Sequence, residues 1–302
     1  LKLSESLRQT VRINRLEQNI IKGVNMNEIT VNWHIIQKCN YKCYYCFAKY
    51  DNYDKKEVHN SKKEIEILLN KIYQAFSNKY KDYNIRLNIA GGEPTLSKNL
   101  YFIIQTAYKI GFNVSIITNA SILTTRFISE NAKYISMFAI SIDSLNTNTN
   151  IKIGRIGNKN YLEIHQILKN ISLLRKYNSS IKIKINTVVN NYNYAEYIGD
   201  FINLANPDKW KIFQALSINN SKEYCSKEQF STFINNHKSL NINIFSETNE
   251  EMIESYIMVD PYGRFYQNSG AIYQYSKSIL ELESNEIINH VNFDLKKYKN
   301  RY

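Results

Sequence analysis

Asn84-Ile85-Arg86-Leu87-Asn88-Ile89-Ala90-Gly91-Gly92-Glu93-Pro94 alternates polar and apolar side chains and then stops on two glycines, a glutamate and a proline. Alternation with a period of two is the mark of a β-strand. Ile85, Leu87 and Ile89 therefore share one face, opposite Arg86 and Asn88. The pattern recurs: Ile181, Ile183 and Ile185 oppose Lys182, Lys184 and Asn186, and Val31, Trp33 and Ile35 oppose Asn32 and His34. Phe138, Ile140 and Ile142 oppose Ser141 and Asp143, and Trp210 and Ile212 oppose Lys209 and Lys211. Strands expected at 30–37, 84–90, 112–118, 135–142, 181–189 and 209–216 alternate with helices expected at 61–77, 98–110, 123–131, 159–177, 193–205 and 226–238. Such β/α repetition implies an α/β fold with a parallel sheet and helices outside. Parallel strands are covered on both faces, so the polar faces must look into an interior chamber. That chamber is expected to be wet, cationic and the seat of the site.

The chain has 302 residues, 43% of them hydrophobic and 22% charged, which excludes a disordered or fibrous protein. Only 9 Gly and 3 Pro leave little material for a flexible linker. A single structural unit is expected: residues 1–29 as an N-terminal segment, 30–240 as the main body and 241–302 as a C-terminal extension. The net charge of +12 calls for a polyanion. Basic residues nonetheless form no run longer than pairs such as Lys55-Lys56 and Lys62-Lys63, which counts against nucleic acid. No apolar run approaches the ~18 residues of a bilayer span, and no signal-peptide pattern opens the chain. A cytoplasmic location without stable membrane attachment is expected. In residues 1–22, Leu3, Leu7 and Val11 share a helical face, with Lys2, Arg8, Arg12 and Arg15 nearby. The preferred reading is an amphipathic helix docked on the body, with a membrane-surface helix as the alternative.

Three of the four cysteines stand in eight residues, Cys39-Asn-Tyr-Lys-Cys43-Tyr-Tyr-Cys46. Three thiolates on one loop can bind three irons of a cubane [4Fe-4S] cluster and leave the fourth iron open for chemistry. A zinc site is the alternative, but zinc prefers four ligands and Cys225 lies far away in sequence. Tyr45 and Phe47 flank the last cysteine, where they would shield a cluster and offer a face to an adenine ring. Gly91 and Gly92 permit close approach to a ligand, and Glu93 can accept from an ammonium.

The CxxxCxxC loop followed by Gly91-Gly92-Glu93-Pro94 resembles the radical S-adenosylmethionine (radical SAM) superfamily. That resemblance implies a partial (β/α)6 radical SAM barrel with a C-terminal extension closing over the site. It also implies a [4Fe-4S] cluster on Cys39, Cys43 and Cys46, with SAM bound by Gly91, Gly92 and Glu93. A narrower resemblance runs from about residue 30 to the end. Asn32-Trp-His34, Ala-Ile-Ser141-Ile-Asp143-Ser144, Ile-Gly154-Arg155, Ile183-Lys184-Ile-Asn186, Asn206-Pro-Asp-Lys209-Trp210-Lys211 and Ser255-Tyr256 are similar to viperins and their prokaryotic relatives. This implies an antiviral lyase that dehydrates a ribonucleoside triphosphate, CTP first with UTP or GTP as alternatives, to its 3′-deoxy-3′,4′-didehydro form. By the same resemblance Arg86, Arg155, Lys184, Lys209 and Lys211 hold the triphosphate. Asn32 and Asn186 place the nucleoside, and Thr118, Asn119 and Ser141 contact SAM. Residues 267–275 depart from the animal pattern.

The radical chemistry belongs to the cofactor, so the protein's task is aim. Lys184 or a phosphate-bound water is the candidate for proton traffic. Tyr256 is a candidate donor to the ribosyl radical or a packing group over the ribose. An external electron donor is implied, and a monomer is expected. The competing reading is a radical SAM enzyme that modifies RNA, with the positive charge spent on backbone phosphates.

Overall fold

Six parallel strands stand side by side in chain order: β1 (Glu28–His34), β2 (Asn84–Ala90), β3 (Asn113–Thr118), β4 (Met137–Ser141), β5 (Lys182–Val189) and β6 (Lys209–Gln214). They belong to a computed structural model that describes residues 27–51, 55–157, 163–216, 223–268, 273–291 and 293–299. The segment 1–22, read above as a helix, lies outside the described residues. The expected alternation holds: Ile29, Val31 and Trp33 of β1, Leu87 and Ile89 of β2, and Trp210 and Ile212 of β6 are fully buried on the outer face.

Helices cover that face. α1 (Lys62–Lys79) starts where the Ser61 side chain accepts from the Glu64 amide, and it buries Ile65, Leu68, Leu69, Ile72 and Phe76 at helical spacing. α2 (Leu100–Ile110) and α3 (Thr125–Asn131) follow β2 and β3, and α5 (Ile164–Tyr177) precedes β5. α6 (Gly199–Ala205) leads into β6, and α7 (Lys227–His237) opens with a capping box between Ser226 and Gln229. A short helix absent from the sequence reading, α4 (Thr147–Ile153), is capped by the Asn146 side chain, which accepts from the amides of Asn148 and Thr149.

β1 stops earlier than expected because residues 36–38 turn their carbonyls to another partner, described below. α6 starts later than expected because Asn190 and Asn193 fold the preceding segment into side-chain-bonded turns.

The sheet does not end at β6. β7 (Ile244–Glu247) adds parallel to β6, and β8 (Ile257–Val259) adds parallel to β1 on the far side. β9 (Arg264–Gln267) and β10 (Gln274–Ser278) follow antiparallel, giving the order β10-β9-β8-β1-β2-β3-β4-β5-β6-β7. Residues 241–299 thus deliver strands to both edges of a partial barrel, with α8 (Asn249–Met252) and α9 (Leu295–Lys299) between and after them. The α9 residue Tyr298 fastens this extension: its hydroxyl donates to the Glu28 carbonyl at 3.1 Å and accepts from the Thr30 amide at 2.7 Å. No helix among the described residues is long and apolar enough to cross a membrane.

Candidate active site

A cleft of ≈ 270 Å³ opens at the C-terminal ends of the strands, and Cys39, Cys43 and Cys46 line one wall of it. The loop that carries them is held from two sides. From the β2 end, the Gly92 amide donates to the Ile36 carbonyl at 2.7 Å and the Glu93 amide to the Lys38 carbonyl at 3.0 Å. A Cβ on Gly92 would fall 2.3 Å from the Lys38 carbonyl oxygen, and one on Gly91 2.7 Å from that of Ile36. The room that the sequence reading reserved for a ligand is thus occupied in part by the cysteine loop's own backbone. From the α4 end, the Lys42 amide donates to the Gly154 carbonyl at 2.9 Å and the Tyr44 amide to that of Ile153 at 3.2 Å. Gly154 has φ +79°, and a Cβ there would lie 2.2 Å from the Lys42 oxygen.

Glu93 is fully buried, and its carboxylate is largely spoken for. One oxygen accepts from the hydroxyls of Thr95 and Thr118, both at 2.6 Å, and from the Thr95 amide at 3.0 Å; the other accepts from the Asn119 amide at 2.8 Å. Its first task is therefore to fix Thr118 and Asn119 at the cleft wall. Asn119 in turn donates from its side-chain nitrogen to Asn40 in the cysteine loop at 2.9 Å. Arg155 lies 3.1 Å from Asp143, donates to the Ser141 carbonyl at 2.6 Å and stacks 5.5 Å over the Tyr41 ring. Burial alone would lower its pKa, but Asp143 more than reverses this and keeps it charged. Asp143 also accepts from the Tyr45 hydroxyl and, at 2.9 Å, from the Val188 amide.

Burial raises all three thiols, Cys43 to about 12, while Arg155 opposes the rise at each. Among the described residues no three His, Cys, Asp or Glu side chains converge on a site for a single metal ion. The one-ion zinc alternative therefore lacks its ligand set. Three thiols on one wall, with a guanidinium beside them to favour thiolates, fit a cluster in which each sulfur holds its own iron.

Beside Cys46 the cleft is aromatic. Phe47 and His34 meet edge to face at 5.7 Å, and the Tyr273 hydroxyl donates to the Phe47 carbonyl at 2.7 Å. His34 Nδ1 is hydrogen-bonded with the hydroxyls of Tyr50 and Tyr266, and burial lowers its pKa to about 4, so the ring is neutral.

Inside the barrel the register of β1, β2 and β3 lines up Asn32, Asn88 and Ser115. Ser115 donates to Asn88 at 2.8 Å, Asn88 to Asn32 at 2.7 Å, and Asn32 to the Ile257 carbonyl at 3.1 Å. Asn186 is 6% exposed at the cleft wall and its side-chain oxygen Oδ1 has no partner.

β5 and β6 place Lys184 level with Lys209, and Asn186 level with Lys211. Burial, then repulsion from Lys211 and Lys209, pushes the Lys184 pKa well below the lysine range. Lys211 is 2% exposed and pairs with Glu247, whose other oxygen accepts from the Tyr256 hydroxyl at 2.6 Å. Lys209 stacks 3.8 Å over Phe245. The structure therefore brings the three lysines together, with Arg86 near enough to lower Lys184 further, but none of the three lysines lines the cleft itself. Arg155 stands with the cysteines. Arg86 is tied to Glu28 at 2.5 Å and to Ser136 at 2.9 Å and does not line the cleft. The chamber is also less uniformly wet than expected, because Ile117, Val188, Phe213 and Met258 line its mouth. Glu247, Tyr266 and Tyr273 were missing from the sequence reading, which placed His34 on the polar face of its strand without giving it a role. Four-residue β7 is too short for its alternation to stand out, and Tyr266 on β9 and Tyr273 just before β10 belong to the extension.

The family model of the radical SAM superfamily matches residues 33–205. The chain is 38% identical over 283 residues to an S-adenosylmethionine-dependent nucleotide dehydratase of Psychrobacter lutiphocae, covering 91% of this chain and 95% of the relative. It is 36% identical to one of Fibrobacter sp., covering 92% and 89% respectively. With the S-adenosylmethionine-dependent nucleotide dehydratase RSAD2 of Oncorhynchus mykiss it shares 29% identity over 95% of this chain and 83% of the fish protein. Among solved structures, anSMEcpe with bound AdoMet superposes with a TM-score of 0.64 at 13% identity, covering 90% of this chain and 82% of that one. Streptococcus suis SuiB bound to S-adenosylmethionine gives 0.61 at 16% identity, covering 99% and 73%. At such identities the likeness is one of fold.

Proposed function

The chain belongs to the radical SAM superfamily and, within it, to the S-adenosylmethionine-dependent nucleotide dehydratases, and we propose that its substrate is a ribonucleoside triphosphate, CTP before UTP or GTP. The product is the 3′-deoxy-3′,4′-didehydro nucleotide, a chain terminator for antiviral defence. The observation that carries the triphosphate is the group of Lys184, Lys209 and Lys211 on one face of β5 and β6, where burial and then repulsion from Lys211 and Lys209 push the Lys184 pKa down. Like charges held together in a shielded chamber call for a multivalent anion. The preference for cytidine rests on the viperin resemblance alone.

When bound, the cluster and SAM supply a 5′-deoxyadenosyl radical that takes a ribose hydrogen. The chain's own residues do the rest. Cys39, Cys43 and Cys46 hold the cluster, and Arg155 favours their thiolates. Gly91, Gly92, Glu93, Thr118, Asn119 and Ser141 shape the wall on which SAM lies, and Tyr45 and Phe47 bound it. Lys184, Lys209 and Lys211 clamp the triphosphate from below, while Asn32 and Asn186 meet the ribose. Arg86, engaged by Glu28, braces the strand ends. An external one-electron donor and a monomeric chain complete the reading.

Anaerobic incubation of the reconstituted protein with SAM, dithionite and each ribonucleoside triphosphate in turn tests it. Mass spectrometry should find a nucleotide lighter by one water, formed with 5′-deoxyadenosine and fastest from CTP. SAM cleavage indifferent to every triphosphate would overturn the assignment.

A further inference from the structure

One carboxylate sits in the middle of the basic chamber. Glu247 ends β7, opposite Phe213 of β6 in the sheet register, and is 5% exposed. Its two oxygens serve two different groups: one pairs with Lys211 Nζ, and the other accepts the Tyr256 hydroxyl hydrogen at 2.6 Å. Lys211 also lies 5.3 Å over the Tyr256 ring, so the three side chains form one closed unit. Tyr256 lines the cleft, whereas Lys211 faces the other lysines. Burying a carboxylate among groups that bind an anion works against substrate binding, and that cost asks for a return elsewhere in the reaction.

We propose that Glu247 is a positioning residue that lets Tyr256 act as the internal reductant of the dehydration, an inference that rests on the nucleotide dehydratase reading above. Once the ribose C4′ hydrogen is gone, the nucleotide radical loses its 3′-hydroxyl as hydroxide, leaving an oxidising radical cation. One electron closes the 3′,4′ double bond. Tyr256 supplies that electron while its phenol proton crosses the short bond to Glu247, which leaves a neutral tyrosyl radical and a protonated carboxyl. An external one-electron donor, a reduced flavodoxin or dithionite, then restores the phenol as Glu247 returns the proton. The net change is one electron consumed and one hydroxide released for each nucleotide radical. Without a base at hydrogen-bond distance the phenol would have to lose its electron while keeping its proton, a far costlier step. Lys211 is the opposite charge paired with that carboxylate.

Glu247→Gln tests this, because glutamine keeps an acceptor for the phenol but cannot take its proton and removes the negative charge facing the lysines. Nucleotide affinity should stay at the wild-type level or tighten by up to about tenfold. Formation of 5′-deoxyadenosine with CTP should remain within about threefold, while dehydrated product per 5′-deoxyadenosine falls by roughly tenfold or more. Freeze-quenched samples should hold more organic radical by electron paramagnetic resonance. Glu247→Asp, which keeps a base, should bind nucleotide as the wild type does and recover part of the product ratio. Tyr256→Phe should match Glu247→Gln, and the double variant should be no worse than either single one. A wild-type product ratio in Glu247→Gln overturns the inference. So does a proportional loss of binding, 5′-deoxyadenosine and product in both Glu247 variants, the result of a merely structural role. Failure of the wild-type protein to form any dehydrated nucleotide would instead sink the nucleotide dehydratase reading.

Discussion

Lys182 and Lys184 sit two residues apart on the same face of β5, yet only one belongs to the chamber. Lys182 pairs with Asp208 at 2.9 Å and its side chain is 62% exposed. Lys184 is held among other cations with its pKa pushed down by burial and by Lys211 and Lys209. A lysine whose pKa is lower folded than unfolded binds fewer protons in the native state. It therefore opposes folding at neutral pH, and that cost diminishes as the pH rises from the depressed native pKa toward the ordinary lysine value, above which it is gone. Lys184→Met should accordingly raise the thermal midpoint of the ligand-free protein at pH 7, by roughly 2–4 °C for each kcal/mol relieved. It should also abolish the upward shift that saturating CTP produces. Lys182→Met, removing an exposed pair worth about 0–1 kcal/mol, should leave both quantities nearly unchanged. Equal behaviour of the two variants in differential scanning calorimetry would mean that the lysines act as a diffuse field. The alternation Ile183-Lys184-Ile185 was enough to read Lys184 as inward. Lys209 and Lys211 were legible in the same way and Tyr256 through the resemblance, but Asp208 and Glu247 were not, because they reach this region from elements far apart in sequence.

The cysteine loop is a case where an element is only as good as the two glycine turns beside it. Both were visible as short glycine-bearing motifs, Gly91-Gly92 and Ile153-Gly154-Arg155, but their purpose was not. The first looked like space for a ligand and the second like a triphosphate contact, whereas both press against backbone of residues 36–44. The six main strands were legible because each repeats its apolar face several times. α4 was not, since Thr147–Ile153 has one buried residue and no stripe. β8 was not either, because its three residues are all buried and carry no alternation. Gly154→Ala should cost roughly 1–3 kcal/mol for the left-handed backbone alone. Its methyl group must also displace the Lys42 carbonyl, 2.2 Å away, and with it the spacing of the sulfurs. Iron bound per folded chain after reconstitution should drop severalfold. Thr124→Ala, which removes the N-cap of α3 at a cost of about 1 kcal/mol, should lower stability while leaving iron content intact. Iron loading that tracks stability alike in both variants would refute a specific role for the Gly154 turn.

Over the whole molecule, the net charge of +12 admits two readings, and the arrangement of the charges separates them. Several surface cations already have acidic partners, as in Arg126 with Glu130, Lys227 with Glu250 and Lys55 with Glu281. The cations pressed against one another are Lys184, Lys209 and Lys211, on one face of β5 and β6 where Lys211 also pairs with Glu247, and the proposed reading places a small polyanion there rather than a duplex. Salt distinguishes the cases. Binding to a nucleic-acid backbone releases counterions, so its affinity falls with a log–log slope of about −0.7 to −0.9 per phosphate contacted. A triphosphate held in a shielded chamber is screened much less. Raising sodium chloride from about 0.05 to about 0.5 M should therefore erase any tRNA binding to this chain. The stimulation of 5′-deoxyadenosine formation by CTP should change by less than about threefold over the same range. At low salt tRNA should bind without stimulating SAM cleavage, because its phosphates cannot reach the buried lysines. A tRNA that matched CTP in stimulating 5′-deoxyadenosine, and lost that effect as salt rose, would place the catalytic anion site on the outside of the barrel and return RNA modification to first place.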